Sequence, residues 1–94
     1  MKSVFRVVAQ TQPQQVTRKD GTITQKATIV LQEIGGKYEN SYACTLLGNM
    51  ASLKFYQNDF VYAALRFEHR EYNGNYFMDC TVQDILKYQT SNAF

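Results

Sequence analysis

The sequence predicts a small all-β domain: five strands closed into a barrel, with a short helical turn between the third and fourth strands. Three features carry this. Phe60–Val82 reads as two long strands around Tyr72-Asn73-Gly74-Asn75. Asn-Gly is the strongest short-range hairpin signal, because both central residues of a type I′ turn need positive φ. Thr22–Glu33 alternates Ala27, Ile29 and Leu31 against Lys26, Thr28, Val30 and Gln32, the period-two pattern of a strand with one buried face. Asn49–Asn58 breaks that rhythm, holding Met50, Ala51, Leu53, Phe55 and Tyr56 at a spacing nearer the helical period.

The first strand is expected over Ser3–Gln12, with Phe5, Val7 and Ala9 on an apolar side and Val4, Arg6 and Val8 on a mixed one. Pro13 and Gln14–Gln15 mark an edge, bend or exit. Thr17–Gly21 is a turn punctuated by Asp20-Gly21. The second strand, Thr22–Glu33, breaks at Gly35-Gly36, and the third, Tyr38–Leu47, stops at Gly48. Asn49 is the expected N-cap of the helical piece. Met50, Leu53, Phe55 and Tyr56 would then cap the barrel bottom, and Asn58-Asp59 would turn into the fourth strand. There Val61, Ala63, Leu65 and Phe67 face the core, while Tyr62, Arg66, Glu68 and Arg70 face outward. His69 falls on the core side and reads as a core-edge residue. The fifth strand runs from Asn75 to about Leu86, with Asp79 in a structural hydrogen-bonding role. The domain spans 1–87, and 88–94 is a polar, loose tail.

Composition narrows the function classes. Ninety-four residues make one domain with one core. An apolar fraction of 45% excludes global disorder. No apolar run approaches the roughly 18 residues of a membrane span, and MKSVFRVVAQ is too short and too charged for a signal peptide. A cytoplasmic location without membrane contact is expected. The net charge of +2 falls short of a dedicated duplex-DNA binder. Cys44, Cys80 and one histidine form no zinc motif, and the two cysteines are expected as reduced core thiols. No phosphate-binding glycine loop and no nucleophile with a base partner is present. No catalysis, cofactor, metal or small-molecule substrate is expected.

Three strands, a short helical connection and two more strands is the order of an oligonucleotide/oligosaccharide-binding (OB) barrel. An SH3-like barrel differs in having shorter strands and its helical turn before the last strand. The chain also resembles the single-stranded DNA-binding protein superfamily, and within it a bacterial family of short OB-fold proteins. The resemblance covers roughly Phe5 to Val82. It rests on Ala27-Thr28-Ile29-Val30-Leu31, on Cys44-Thr45-Leu46-Leu47-Gly48, and most specifically on Arg70-Glu71-Tyr72-Asn73-Gly74-Asn75-Tyr76-Phe77-Met78-Asp79.

The resemblance implies a single strand wrapped over the outer barrel face and the last hairpin, with cations on phosphates and aromatics stacked on bases. Carried over, Arg70 is a phosphate contact and Tyr72 a stacking platform, with Tyr76 a second aromatic at the tip. Arg66 lies on the same strand face as Arg70. Lys26 and Thr28 flank the path on the second strand, and Arg18 and Lys19 sit in the first loop. The pattern departs from the superfamily in two places. The outer side of the third strand, Ser41, Ala43, Thr45 and Leu47, offers no aromatic, and the ending Thr90-Ser91-Asn92-Ala93-Phe94 has no acidic run for recruiting partners.

The expected function is sequence-tolerant binding of single-stranded DNA, or of RNA, in replication, recombination or repair. A homodimer or homotetramer would gain avidity, with Val4, Val8, Val30 and Tyr62 as assembly surface. The alternatives are a protein-interaction OB module that binds no nucleic acid, and a primosomal OB subunit. A shared exposed face for Lys26, Arg66, Arg70 and Tyr72 favours DNA. Dispersed or internally paired charges favour the adaptor.

Overall fold

The alternation along the chain resolves into a closed sheet. In the computed structural model, which describes residues 1–35 and 39–88, β1 (Lys2–Gln10) pairs antiparallel with β3 (Ile23–Glu33) on one edge and β5 (Phe60–Tyr72) on the other. β3 pairs antiparallel with β4 (Ser41–Leu47), and β5 with β6 (Asn75–Lys87). β4 and β6 run parallel and meet at Thr45↔Thr81, their only bridge among the described residues. That bridge closes a five-stranded ring, and closure removes the exposed edges of the sheet. The fold is the expected OB barrel.

Inward positions of all five ring strands supply the core. Phe5, Val7, Ile29, Leu31, Cys44, Leu46, Val61 and Ala63 are wholly buried, and Leu65 and Val82 nearly so. Truncating one of the large ones, for example Leu46→Ala, costs roughly 2–5 kcal/mol through lost burial and the cavity left behind. Burial stops where the ring stops. Two hairpins extend beyond it as arms. A short one is formed by β2 (Gln14–Thr17) with the start of β3, and a long one by β5 and β6 from Arg66 to Thr81. The molecule accordingly measures 50 × 31 × 18 Å.

The long arm turns where the sequence predicts. Asn73 and Gly74 take φ of 52° and 80°, the positive values of a type I′ turn. At the arm's foot Tyr42 stands edge-on to both Phe5 and Phe67, with ring centroids 6.1 and 5.6 Å apart. The Tyr42 hydroxyl donates to Glu33 Oε2 at 3.1 Å. Burial and the Glu33 carboxylate push that phenol above its ordinary pKa.

Four features differ from the sequence expectations. The polar run after Pro13 is a strand, β2, because pairing with Ile23–Lys26 satisfies its backbone. Ala9 faces solvent, because the β1–β3 register shifts between Val7 and Ala9 and reverses the alternation. The helical segment shrinks to a 3-10 helix over Gly48–Ser52, with extended Leu47 at the cap position and no side-chain cap, so Asn49 is not the N-cap. Beyond it the Gln10 side chain takes over. Its Nε2 donates to Leu53 O (2.6 Å) and its Oε1 accepts from Phe55 N (2.8 Å). These bonds hold the backbone extended. Phe55 and Ala51 are buried and Met50 packs against the core, but Leu53 and Tyr56 remain exposed. Finally, β6 carries one extra residue, Gln83, between Val82 (opposite Leu65) and Asp84 (opposite Ala64).

The start of the expected third strand at Tyr38 and residues 89–94 of the expected tail lie outside the described residues. The turn into β5 is held by Asn58 and Asp59. Asn58 takes φ 73°, and Asp59 Oδ2 accepts from Tyr56 N–H at 2.8 Å and lies 3.1 Å from Lys87 Nζ. The Tyr56 amide first, and then Lys87, hold the Asp59 carboxyl below its ordinary pKa.

Candidate nucleic-acid interface

Directly paired residues on neighbouring strands share a face, so the register decides which side chains stand together. Thr28 is opposite Thr45, Thr45 opposite Thr81, and Thr81 opposite Arg66. These four form one outward row across β3, β4, β6 and β5. On either side of it lie Lys26 opposite Leu47, and Val30 opposite Ala43. The expected outer positions of the third strand are therefore outward, and they are small or aliphatic.

Each arm extends this surface. In the short arm Gln14 faces Lys26 and Val16 faces Thr24. Arg18 reaches back over the same side, its Nη2 donating to Thr24 Oγ1 at 3.4 Å. Lys19 is exposed at the tip. The neighbouring Asp20 carboxylate accepts from the Thr22 hydroxyl (2.7 Å) and the Thr22 amide (3.0 Å). Those bonds, the hydroxyl's first, lower the Asp20 pKa and keep it occupied locally. Among the described residues, Arg18, Lys19 and Lys26 enter no ion pair. At the foot of this arm lies a shallow depression of ≈ 270 Å³ lined by Gln12, Gln14, Val16, Lys26 and Thr28.

The long arm is amphipathic in a different sense. One side carries Arg66, Glu68, Arg70 and Tyr72, opposite Thr81, Asp79, Phe77 and Asn75. This side continues the threonine row. Both arginines are paired: Arg66 Nη2 lies 3.2 Å from Glu68 Oε2, and Arg70 Nε donates to Asp79 Oδ2 at 2.8 Å. The Arg70 guanidinium also covers the Phe77 ring, 5.3 Å from its centroid. The side chains of these ion pairs are at least half exposed, so each holds its arginine by only about 0.2–1 kcal/mol. Tyr72 is 67% exposed, and its face is open for stacking.

The other side of the arm holds Phe67, His69 and Glu71 opposite Cys80, Met78 and Tyr76. Tyr76 therefore stands apart from Tyr72, its ring against His69 with centroids 6.4 Å apart. His69 is exposed on the arm rather than at the core edge. Of the residues singled out from sequence, Lys26, Thr28, Arg66, Arg70 and Tyr72 share the outward face. Arg18 leans onto it, Lys19 sits at its margin, and Tyr76 lies behind it. Thr45, expected outward, belongs to the face together with Phe77 and Thr81, and none of the three was among the expected contact residues. Counting outward from the two-residue turn pairs Phe77 with Arg70, so that signal was present. The threonine row depends on the β4–β6 closure, which no local pattern encodes.

Opposite the threonine row, the barrel exterior carries an apolar strip with Arg6 beside it. Val4, Tyr62 and Leu86 form a row across β1, β5 and β6, with Phe60 exposed beside Tyr62. Val30, expected on the assembly surface, lies instead among the residues around the threonine row.

No family model and no curated protein matches the sequence. Solved structures do match in fold. The second OB-fold domain of replication protein A from Methanococcus maripaludis superposes with a TM-score of 0.74 at 23% identity, covering 96% of this chain and 84% of that one. The SSB domain of a Synechococcus sp. protein superposes with a TM-score of 0.63 at 20% identity, covering 90% of each chain. By architecture, strand order and superposition, the chain is an OB-fold domain.

Proposed function

We propose that the protein is a non-catalytic, sequence-tolerant module that binds single-stranded DNA along the threonine row and its two arms. The observation that carries this reading is the common face of Lys26, Thr28, Arg66, Arg70 and Tyr72, which come from two distant segments of the chain. Cations at both ends of that face would neutralise phosphates and release counterions. Tyr72, with Phe77 beside it, would stack on bases, an interaction worth about 1–3 kcal/mol per base and indifferent to base identity. Between the arms, threonine hydroxyls offer hydrogen bonds without a stacking platform. The grip is therefore concentrated at the long arm. Both arginines are internally paired, the mark expected of the protein-docking alternative, but the pairs are exposed and weak, so Arg66 and Arg70 would exchange Glu68 and Asp79 for phosphate on binding, which moderates affinity. The fold of the two structural neighbours supports the same reading.

Self-association through the Val4–Tyr62–Leu86 row would leave the threonine row free and link two binding faces. Sedimentation of wild type and Tyr62→Glu tests it: a dimer or tetramer reduced to monomer by the substitution is expected.

The binding reading is tested by fluorescence anisotropy with labelled oligo-dT of about 35 nucleotides, long enough to span several OB sites, at low and moderate salt. Salt-sensitive binding that is lost in Arg70→Ala/Tyr72→Ala is expected. A folded protein that binds nothing at low salt would instead direct attention to the apolar row as a protein-docking surface.

A further inference from the structure

We propose that Cys44 and Cys80 form an oxidisable pair, which a peroxide converts into a disulfide bolting β4 to β6. The two residues immediately precede Thr45 and Thr81, the bridge that closes the barrel. Both strands run the same way there, so Cys44 and Cys80 stand side by side and both point inward. Neighbouring strands lie about 4.8 Å apart, inside the Cα separation a disulfide accepts. The sulfurs are already 3.0 Å apart, with Cys80 Sγ donating to Cys44 Sγ. Both thiols are free.

The pair is asymmetric. Cys44 is wholly buried and Cys80 only partly so. Burial, and then Cys80 itself, push the Cys44 thiol above its ordinary pKa, so Cys44 stays protonated. Cys80 is the sulfur that solvent reaches. Its thiolate attacks one peroxide oxygen and the O–O bond breaks. The other oxygen leaves as water, or as an alcohol from an organic peroxide, after taking up a proton. Cys80 is then a sulfenic acid. The Cys44 sulfur attacks the Cys80 sulfur, the S–O bond breaks, and the departing hydroxide takes the Cys44 proton as water. The two thiols lose two electrons in all and the peroxide gains them.

The bond would bridge residues 36 apart in sequence, at the joint where the ring has least backbone pairing. It would also guard Cys80 against further oxidation, because a resolving sulfur waits within reach. Both sulfurs lie on the interior side of their strands, so the threonine row outside stays uncovered.

The test uses the full chain, reduced and then exposed to hydrogen peroxide. Intact mass should fall by about 2 Da, for two hydrogens, rather than gain oxygen. A non-reducing digest should yield one peptide pair joined through Cys44 and Cys80, and dithiothreitol should restore both thiols to alkylation. The closed loop should raise Tm by roughly 10 °C. Cys80→Ser and Cys44→Ala should neither lose mass nor gain Tm under the same treatment. The digest and mass require only the wild type, so they decide the matter even if a variant folds poorly. Stable sulfinic acid at Cys80, disulfide-linked dimers, or two thiols that remain alkylatable after peroxide treatment would each overturn the pairing.

Discussion

The two arms reach the same face with opposite electrostatics. The short arm carries Arg18 and Lys19, with Lys26 at its foot, and none of them enters an ion pair among the described residues. The long arm carries Arg66 and Arg70, each closed on a carboxylate, together with Tyr72 and Phe77. An unpaired cation acts at a distance and falls away with salt. A paired arginine beside aromatics acts on contact, after exchanging partners. The short arm is thus suited to attracting a polyanion and the long arm to holding it. Apart from Cys80 at the base of the long arm, which packs against the core, neither arm contributes to it, so substitutions toward either tip can be read as binding effects without unfolding the barrel.

Four variants probe this contrast, from the largest effect to the smallest. Arg70→Ala/Tyr72→Ala should weaken oligo-dT binding at least tenfold, given about 1–3 kcal/mol for one stacked base, while Tm moves by only a degree or two. An equal loss from the short arm would break the division of labour. Arg18→Gln/Lys19→Gln should weaken binding several-fold at low salt and very little at high salt. The slope of log affinity against log salt should become shallower by about 1.4, for two phosphate contacts on a single strand. Asp79→Asn should tighten binding about two- to fivefold, since it frees Arg70 from an exposed pair worth about 0.2–1 kcal/mol. A weakening there would mean that Asp79 orients Arg70 rather than competing for it. Tyr76→Ala should change affinity less than about twofold, because its side of the arm lacks the phosphate-binding cations. A loss matching that of Tyr72→Ala would mean that the strand wraps around the arm.

A fifth prediction concerns the barrel end, away from both arms. Asp59, with its lowered pKa, stabilises the fold above the ordinary carboxylate range and loses that contribution as pH falls through its folded value. Asp59→Asn should therefore unfold at lower temperature than wild type at neutral pH. Thermal melts across pH should show the difference closing below about pH 4.

What the sequence made legible follows from the range of each interaction. The Asn73-Gly74 turn and the alternation along β3 and β5 are local, and both were readable. The cations could be assigned outward for the same reason. Ala9, the 3-10 helix and the pairing of Cys44 with Cys80 were not readable, because each depends on a partner far along the chain. The register shift opposite β3 turns Ala9 outward, Gln10 straightens the segment after Ser52, and the β4–β6 closure brings the thiols together. The partner of Arg70 is equally non-local: Glu71 is adjacent in sequence but points to the other face, while Asp79 lies across the ladder on the same one.

Gln83 sets the parity of β6. Along β6, Val82 and Ile85 are both buried, three residues apart, although strict alternation allows only even separations on one face. If β6 ran on without a bulge at Gln83, alternation continued from Ile85 would put Gln83, Thr81 and Asp79 inside, and would move Cys80 outward and Phe77 inward. One unremarkable glutamine therefore acts as a phase shift for everything that follows it toward the turn. It delivers Cys80 to Cys44, Thr81 to the threonine row and Asp79 to Arg70, so the barrel's covalent chemistry and its outer charge pattern are fixed by the same insertion.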